Sequence, residues 1–225
     1  MAFAPSSKGR LTVRDVGRFP SARLFDRLGR VVCQAGCLPR KELYEAWEVA
    51  RRVRRLFRGG RIVDMCAGHG LLAHIMLLLD DSSASAVAVD TAIPPSSTKL
   101  HRALVAAWPR LSERVSFVTA AIEDITLARL DIVVSSHACG ALTDRVLDHA
   151  AAAGVRVAVL PCCHDLGTPD ASLLDGWMDG ALAIDAQRAI RLAGRGYRVR
   201  TQTIPAAITP KNRLLIGEPT MSVSD

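Results

Sequence analysis

From residue 40 onward, apolar positions along the chain alternate between a helical and an extended rhythm. Leu43, Trp47, Ala50 and Phe57 recur at helical spacing, and Ala46 and Val53 widen the same face. Proline suits a first helical turn, so Pro39 opens a helix predicted from Arg40 to about Arg58, stopped by Gly59-Gly60. Then the apolar runs shorten. Arg61–Asp64 (RIVD), Ala86–Asp90 (AVAVD), Val115–Thr119 (VSFVT), Asp131–Ser135 (DIVVS) and Val155–Leu160 (VRVAVL) read as buried strands. Helices are predicted between them at Leu71–Leu79, Ser97–Trp108 and Thr143–Ala152. A longer one covers roughly Ala171–Ala193, weakened early by Gly176 and Gly180. Tyr197–Ile204 and Arg213–Gly217 close the pattern as two further strands. Residues 1–38, punctuated by Pro5, Gly9, Gly17, Pro20, Gly29 and Gly36, show no clear period.

Strands alternating with helices imply an α/β fold, a mostly parallel sheet covered on both faces. The last two strands are joined only by Pro205–Asn212, too short for a helical crossover, so they form an antiparallel hairpin. With 225 residues, 49% of them hydrophobic, the chain has a core for one large domain. Aromatics are only 4%, so Ala, Val, Leu and Ile fill that core. The longest apolar run, Leu71–Leu79, is interrupted by His74 and falls well short of the roughly 20 residues needed to span a bilayer. The N-terminus lacks the apolar stretch of a signal peptide, and Asp15 and Asp26 argue against a transit peptide. The expectation is a cytoplasmic protein without a membrane partner, its six cysteines reduced.

Charge changes the picture more than composition does. Residues 1–61 hold 15 Lys/Arg against 5 Asp/Glu, a net of +10, whereas the rest holds 14 against 17, a net of −3. A basic front end on a near-neutral body points to a polyanionic partner, most simply RNA or DNA. Arg51, Arg52, Arg54, Arg55 and Arg58 crowd one helix end, where they either contact nucleic acid or simply suit the helix dipole in solvent.

The candidate chemistry begins at Asp64-Met65-Cys66-Ala67-Gly68-His69-Gly70, between a strand and a helix. Glycines there permit a tight turn and let a ligand approach the backbone at a helix N-terminus. Asp90 ends the next strand, 20 residues after Gly70, where a carboxylate can accept hydrogen bonds from both hydroxyls of a ribose. Gly68–Ala73 also satisfies the dinucleotide pattern G-x-G-x-x-G/A. Two features turn the reading away from a nicotinamide cofactor: the acid Asp64 before the glycines suits a ligand ammonium group better than a pyrophosphate, and the terminal hairpin is foreign to a doubly wound dehydrogenase.

With DMCAGHG, AVAVD, DIVVSSHACG and VAVLPCCH in this order, the chain resembles the class I S-adenosylmethionine-dependent methyltransferases from Arg61 to about Gly217. The resemblance implies a Rossmann-like fold with a seven-stranded sheet of order 3-2-1-4-5-7-6, strand 7 antiparallel. HACGALTD, PCCH and TPKNRLLIG are similar to a branch that includes tRNA acceptor-stem 2′-O-methyltransferases and methyltransferase-like proteins, although the zinc-finger modules of the tRNA enzymes are missing. It further implies S-adenosylmethionine as cofactor and RNA, tRNA or rRNA, as substrate; a small-molecule methyltransferase or an inactive cofactor-binding module is the alternative. Residues 39–225 would then be the methyltransferase domain, 1–38 a basic extension, and helix 40–58 a lid.

By the same resemblance, Asp64, Gly68 and Gly70 would hold the methionine part of the cofactor, Asp90 its ribose, and Glu123 or Asp124 would lie near adenine, with Cys66, Ala67, Ser136 and His137 as further cofactor-binding candidates. Glu123 and Asp124 read equally as a helix cap or a solvated turn. Ser136, His137 and Cys139 follow the fourth strand, and Cys162, Cys163 and His164 the fifth, at the sheet edge where α/β proteins bind ligands. His137 or His164 is a candidate proton acceptor. Cys139 and Cys162 broadly match the cysteine positions of RNA 5-methylcytosine enzymes, without the Pro-Cys and Thr-Cys motifs of those enzymes. The cysteines also read as packing or substrate-binding residues. Their spacing fits no zinc signature, so no metal ligand is assigned, and only a spatial cluster would support one. Tyr44, Arg51 and Arg55 on the basic helix, and Lys211, Asn212 and Arg213 at the hairpin, complete the substrate-side candidates.

Overall fold

Alternation along the central strands dictates two hydrophobic layers. The computed structural model describes residues 3–172, 174 and 176–220. Its strands are β1 (Ile62–Met65), β2 (Ala86–Asp90), β3 (Val115–Thr119), β4 (Ile132–Ser135), β5 (Arg156–Val159), β6 (Tyr197–Thr203) and β7 (Arg213–Pro219). Successive side chains on a strand face opposite sides of the sheet. Ile62, Ala88, Val134 and Ile216 therefore enter one core, and Val63, Met65, Val89, Val133, Val157 and Leu215 the other.

The sheet order is β3-β2-β1-β4-β5-β7-β6. The pairs β1–β2, β1–β4, β2–β3 and β4–β5 are parallel, and β7 runs antiparallel to both β5 and β6. This is the Rossmann-like arrangement expected. Because β1 sits at the switch in strand order, the turns after β1, β2 and β4 open onto one crevice. Helix α3 (Leu71–Leu79) is buried almost all round, while α2 (Arg40–Leu56), α4 (Ser97–Ala107) and α5 (Ala141–Ala152) each bury one stripe.

Two stretches differ from the sequence reading. Residues 1–38 are not irregular throughout. A 3₁₀ turn at Val13–Arg18 leads into helix α1, Leu24–Ala35, whose Leu28, Val31, Val32 and Ala35 join the first core together with Leu11, Phe19 and Leu38. Gly29 obscured this helix as a weak helix former, yet packing requires it, because a Cβ there would come within 2.3 Å of the Phe19 ring. Gly36, at φ +62°, ends α1 by donating its N–H to the Val32 carbonyl.

The long helix expected over 171–193 is two pieces. A single turn, α6 (Pro169–Ser172), is followed by α7 (Gly180–Gly194). Gly176 takes φ +86°, and Asp179 starts α7 by accepting the Leu182 N–H at 3.0 Å, so a turn and a cap replace the expected helical residues. Among the described residues no helix is long and apolar enough to cross a membrane.

Candidate active site

The turn from β1 to α3 is tightly constrained. Cys66, Gly68 and Gly70 all have positive φ, at 55°, 51° and 71°. Only Gly70 lacks room as well: a Cβ there would lie 2.8 Å from Phe117 Cε1 and 3.1 Å from the Ala88 Cβ. Nothing lies within 4 Å of the corresponding position on Gly68, so its open face is free for a ligand. Asp64 is buried beneath the turn, and its Oδ2 accepts the Ala73 N–H at 3.1 Å, giving the first turn of α3 the side-chain acceptor that its cap, Gly70, cannot supply. Burial, with the Asp90 carboxylate nearby, pushes the Asp64 pKa up to about 8.

From the other side, Asp90 ties the turn down. Its Oδ2 accepts from Gly68 N at 2.9 Å and its Oδ1 from Ala92 N at 3.2 Å, while Ala67 N donates to Val89 O at 2.9 Å. Each carboxylate oxygen keeps lone pairs for further donors. His74 Nδ1 donates to the Gly70 carbonyl at 2.6 Å, which leaves its Nε2 to accept from His101 Nδ1 at 3.0 Å. Burial lowers the His74 pKa to about 4 and keeps this chain neutral.

Above the turn lies a cavity of about 370 Å³. Its walls are Cys66 and Gly68 after β1, Val89–Thr91 at the end of β2, Ala120–Ile122 after β3, His137 and Cys139 after β4, and Leu142 and Arg145 on α5. Burial, and then the neighbouring Lys41, bring the His137 pKa down to about 4, leaving a neutral imidazole on the wall. The cavity has a carboxylate at one strand end, an open glycine beside it and an apolar slot of Val89, Ala120 and Ile122, which suits a ribose joined to a flat heterocycle.

A family model for a methyltransferase domain matches residues 41–167, more than half of the chain. The chain belongs to the methyltransferase-domain family. A curated relative, the glutathione S-transferase C-terminal domain-containing protein homolog of Drosophila pseudoobscura pseudoobscura, is 27% identical over 71% of this chain and 33% of its own length. The methyltransferase-domain chain thus spans about a third of that relative. Among solved structures, an O-methyltransferase family protein from Burkholderia thailandensis superposes with a TM-score of 0.54 at 20% identity, covering 95% of this chain and 65% of that one. The ribosomal protein L11 methylase of Lactobacillus delbrueckii subsp. bulgaricus gives 0.50 at 12% identity, over 80% of this chain and 78% of that one. At these identities the likeness is one of fold.

Of the cofactor-side candidates in this methyltransferase domain, Cys66, Gly68, Asp90, His137 and the catalytic candidate Cys139 line the cavity. Ala67 and Ser136 line a smaller recess beside it, together with Glu42, His69 and His137. Asp64 and Gly70 stand behind the turn and shape it. Glu123 and Asp124, the adenine-side candidates, are not in the cavity lining. Glu123 pairs with Arg145 (Nε to Oε1, 2.7 Å), and Asp124 accepts the Ala121 N–H at 3.3 Å as a cap, so the backbone before them, Ala120–Ile122, forms the wall.

His164 and Arg213 meet each other through Asp185 of α7, away from the cavity wall. His164 Nε2 lies 2.8 Å from Asp185 Oδ1, and Arg213 Nε donates to Asp185 Oδ2 at 2.6 Å. Arg188 joins them and reaches Asp144 and the Gly140 carbonyl, tying α7 to the loop after β4. Asn212 is also structural, donating to the Ile204 carbonyl at 2.9 Å across the β6–β7 loop. Tyr44 packs its ring 5.0 Å from Phe25, among the aromatics of the N-terminal segment.

The arginine cluster of α2 is largely engaged within the fold. Arg54 is buried, donating to Met76 O and Ser83 Oγ and pairing with Asp80 at 3.1 Å. Arg58 meets the same carboxylate, Arg51 and Arg52 both meet Glu48, and Arg55 is exposed. The sequence reading missed Glu42, Arg145 and Asp185. Glu42 carried the faint signal of an acid on the first turn of the proposed lid helix; burial, then the Glu45 charge, raise its pKa to about 7.

Proposed function

We propose that this methyltransferase domain uses S-adenosylmethionine and acts on RNA. The observation that carries the cofactor is the conjunction of Asp90 at the end of β2 with the uncovered face of Gly68 in the 370 Å³ cavity. Asp90 would accept the ribose hydroxyls, the Ala120–Ile122 backbone and Val89 would flank adenine, and Cys66 and Gly68 would border the methionine part. When bound, the cofactor supplies an electrophilic methyl on a sulfonium, open to in-line displacement.

Everything else is done by the chain. The Asp64–Ala73 and Asp90–Gly68 hydrogen bonds hold the turn in one geometry, so that positioning is built before the ligand arrives. His137, neutral and on the cavity wall, would take the proton of an incoming hydroxyl or amine. Lys41 and Lys211 lie close enough to the Cys139–Cys163 region to act on its charge, and Arg10 does the same at His69. These cations, with exposed Lys8, Arg14, Arg18 and Arg23 of the N-terminal segment, are the ones available to a polyanion. A phosphate backbone would be held by them.

Transfer of a labelled methyl from S-adenosylmethionine into total tRNA or rRNA tests the proposal, with small hydroxylated aromatics as the parallel substrate. Incorporation into RNA that falls as salt rises supports it. Turnover of the small molecules without any RNA affinity would replace RNA with the alternative, for which the second cavity of about 530 Å³, lined by Pro161, Leu182, Thr201 and Leu214, offers an apolar seat.

A further inference from the structure

The loops after β4 and β5 leave adjacent parallel strands, with Ser135 opposite Val159 in register. They are then joined by a hydrogen bond from Gly140 N to the Cys163 carbonyl at 3.2 Å. This brings together three cysteines to which sequence spacing alone assigned no metal role. The sulfurs of Cys139, Cys162 and Cys163 all lie within 4.8 Å of one another, and those of Cys139 and Cys162 are 2.7 Å apart as free thiols. We propose that these three sulfurs form a binding site for one thiophilic divalent cation, of which zinc is the natural occupant.

Three features favour a cation. Zinc–sulfur bonds of about 2.3 Å in a tetrahedral site put sulfurs about 3.8 Å apart, so all three thiols reach one ion after Cys139 and Cys162 move apart by roughly 1 Å. A disulfide would use two of the sulfurs and leave the third without a role; adjacent Cys162 and Cys163 are poorly placed to bridge with each other. Finally, three thiolates on a divalent ion carry a net negative charge, and Lys211 and Lys41 are the cations that face this cluster.

Cys139 and Cys163 are exposed and Cys162 half-buried, so an ion can enter from solvent. Of the other three cysteines, Cys33 and Cys37 are buried in the first core, and Cys66 shares the cavity wall with Cys139 but is not among the three clustered sulfurs. Three protein ligands leave a fourth position for water or a substrate donor atom, the pattern of an open zinc site rather than a closed structural one. Since Cys139 also lines the 370 Å³ cavity, the ion would sit at its wall. This inference does not depend on which substrate the domain methylates.

The test uses the whole chain, reduced and stripped of metal with a chelator, titrated with Co²⁺ and Cd²⁺ while thiolate-to-metal charge-transfer absorbance is read. Zinc affinity follows by competition with a chromophoric chelator. One equivalent per chain is expected, weakened roughly tenfold or more in Cys163→Ala and in Cys162→Ala, and unchanged in Cys66→Ser. Wild-type protein alone gives a second readout, since Zn²⁺ must protect Cys139, Cys162 and Cys163 from alkylation mapped by peptide mass spectrometry. No charge-transfer band at stoichiometric metal, a band untouched by Cys163→Ala or lost in Cys66→Ser, or equal alkylation with and without Zn²⁺ would overturn the site.

Discussion

At Asp64 a carboxyl group is kept in a place where water cannot reach it, and the consequence is measurable. Its pKa of about 8 in the folded chain stands above the roughly 3.9 of an unfolded aspartate. The native state therefore holds a proton that the unfolded state releases, and stability from this group is complete below pH ~4 and lost as pH rises toward 8. Asp64→Asn keeps an acceptor for the Ala73 N–H while removing that titration. Thermal melts from pH 5 to pH 9 should show the variant gaining on the wild type as pH rises; parallel curves would contradict the burial argument. Gly70 gives a second residue-scale prediction. Gly70→Ala meets both a φ of +71° and Phe117 at 2.8 Å, so it should cost roughly 1–3 kcal/mol in denaturant unfolding. Asp64 and Gly70 were legible in the sequence as members of a site. That both shape the turn from behind was not, because spacing along a chain says which loop a residue joins and not which side of it faces the ligand.

Among the elements, α2 separates an exposed cluster from a structural one. Arg54 and Asp80 are both buried, so Arg54→Ala leaves Asp80 with Arg58 as its remaining cation and strips the Met76 carbonyl of its donor, and should cost about 1–3 kcal/mol. Arg55→Ala, one residue on and exposed, should stay within about 0.5 kcal/mol. Equal melting shifts in the two variants would contradict this division. From sequence the five arginines looked alike: Glu48 lies at helical spacing from Arg51 and Arg52, but Asp80, which caps the end of α3 and meets Arg54 and Arg58, cannot be found by helical period. The reverse holds for α1: Leu24, Leu28, Val31, Val32 and Ala35 do follow helical spacing, and only the punctuating glycines hid it. The strands and α3 were legible nearly to the residue, since short apolar runs bounded by acids and glycines leave little choice of where a buried strand ends. His164, Arg213 and Asp185 converge through tertiary packing of α7 on the β5 loop, which no local pattern announces.

For the molecule as a whole, seven strands in a 3-2-1-4-5-7-6 order bring the candidate chemistry to one edge, and the family match spans the residues that build it. The distribution of charge adds a prediction about RNA at this scale. Because most arginines of residues 51–58 are occupied internally, the binding face should instead be Arg10, Arg14 and Lys211, which are exposed. Replacing these three with serine should weaken RNA binding and flatten its salt dependence by about two to three units of log–log slope, read by fluorescence anisotropy. An unchanged slope would move the RNA elsewhere or remove it. Cofactor binding is tested first by calorimetric titration of S-adenosylhomocysteine into wild type and Asp90→Ala. The cavity geometry predicts one equivalent bound by the wild type and an affinity lower by roughly 10–100-fold in the variant. No binding to the wild type, or equal binding to both, would contradict a cofactor held at the end of β2.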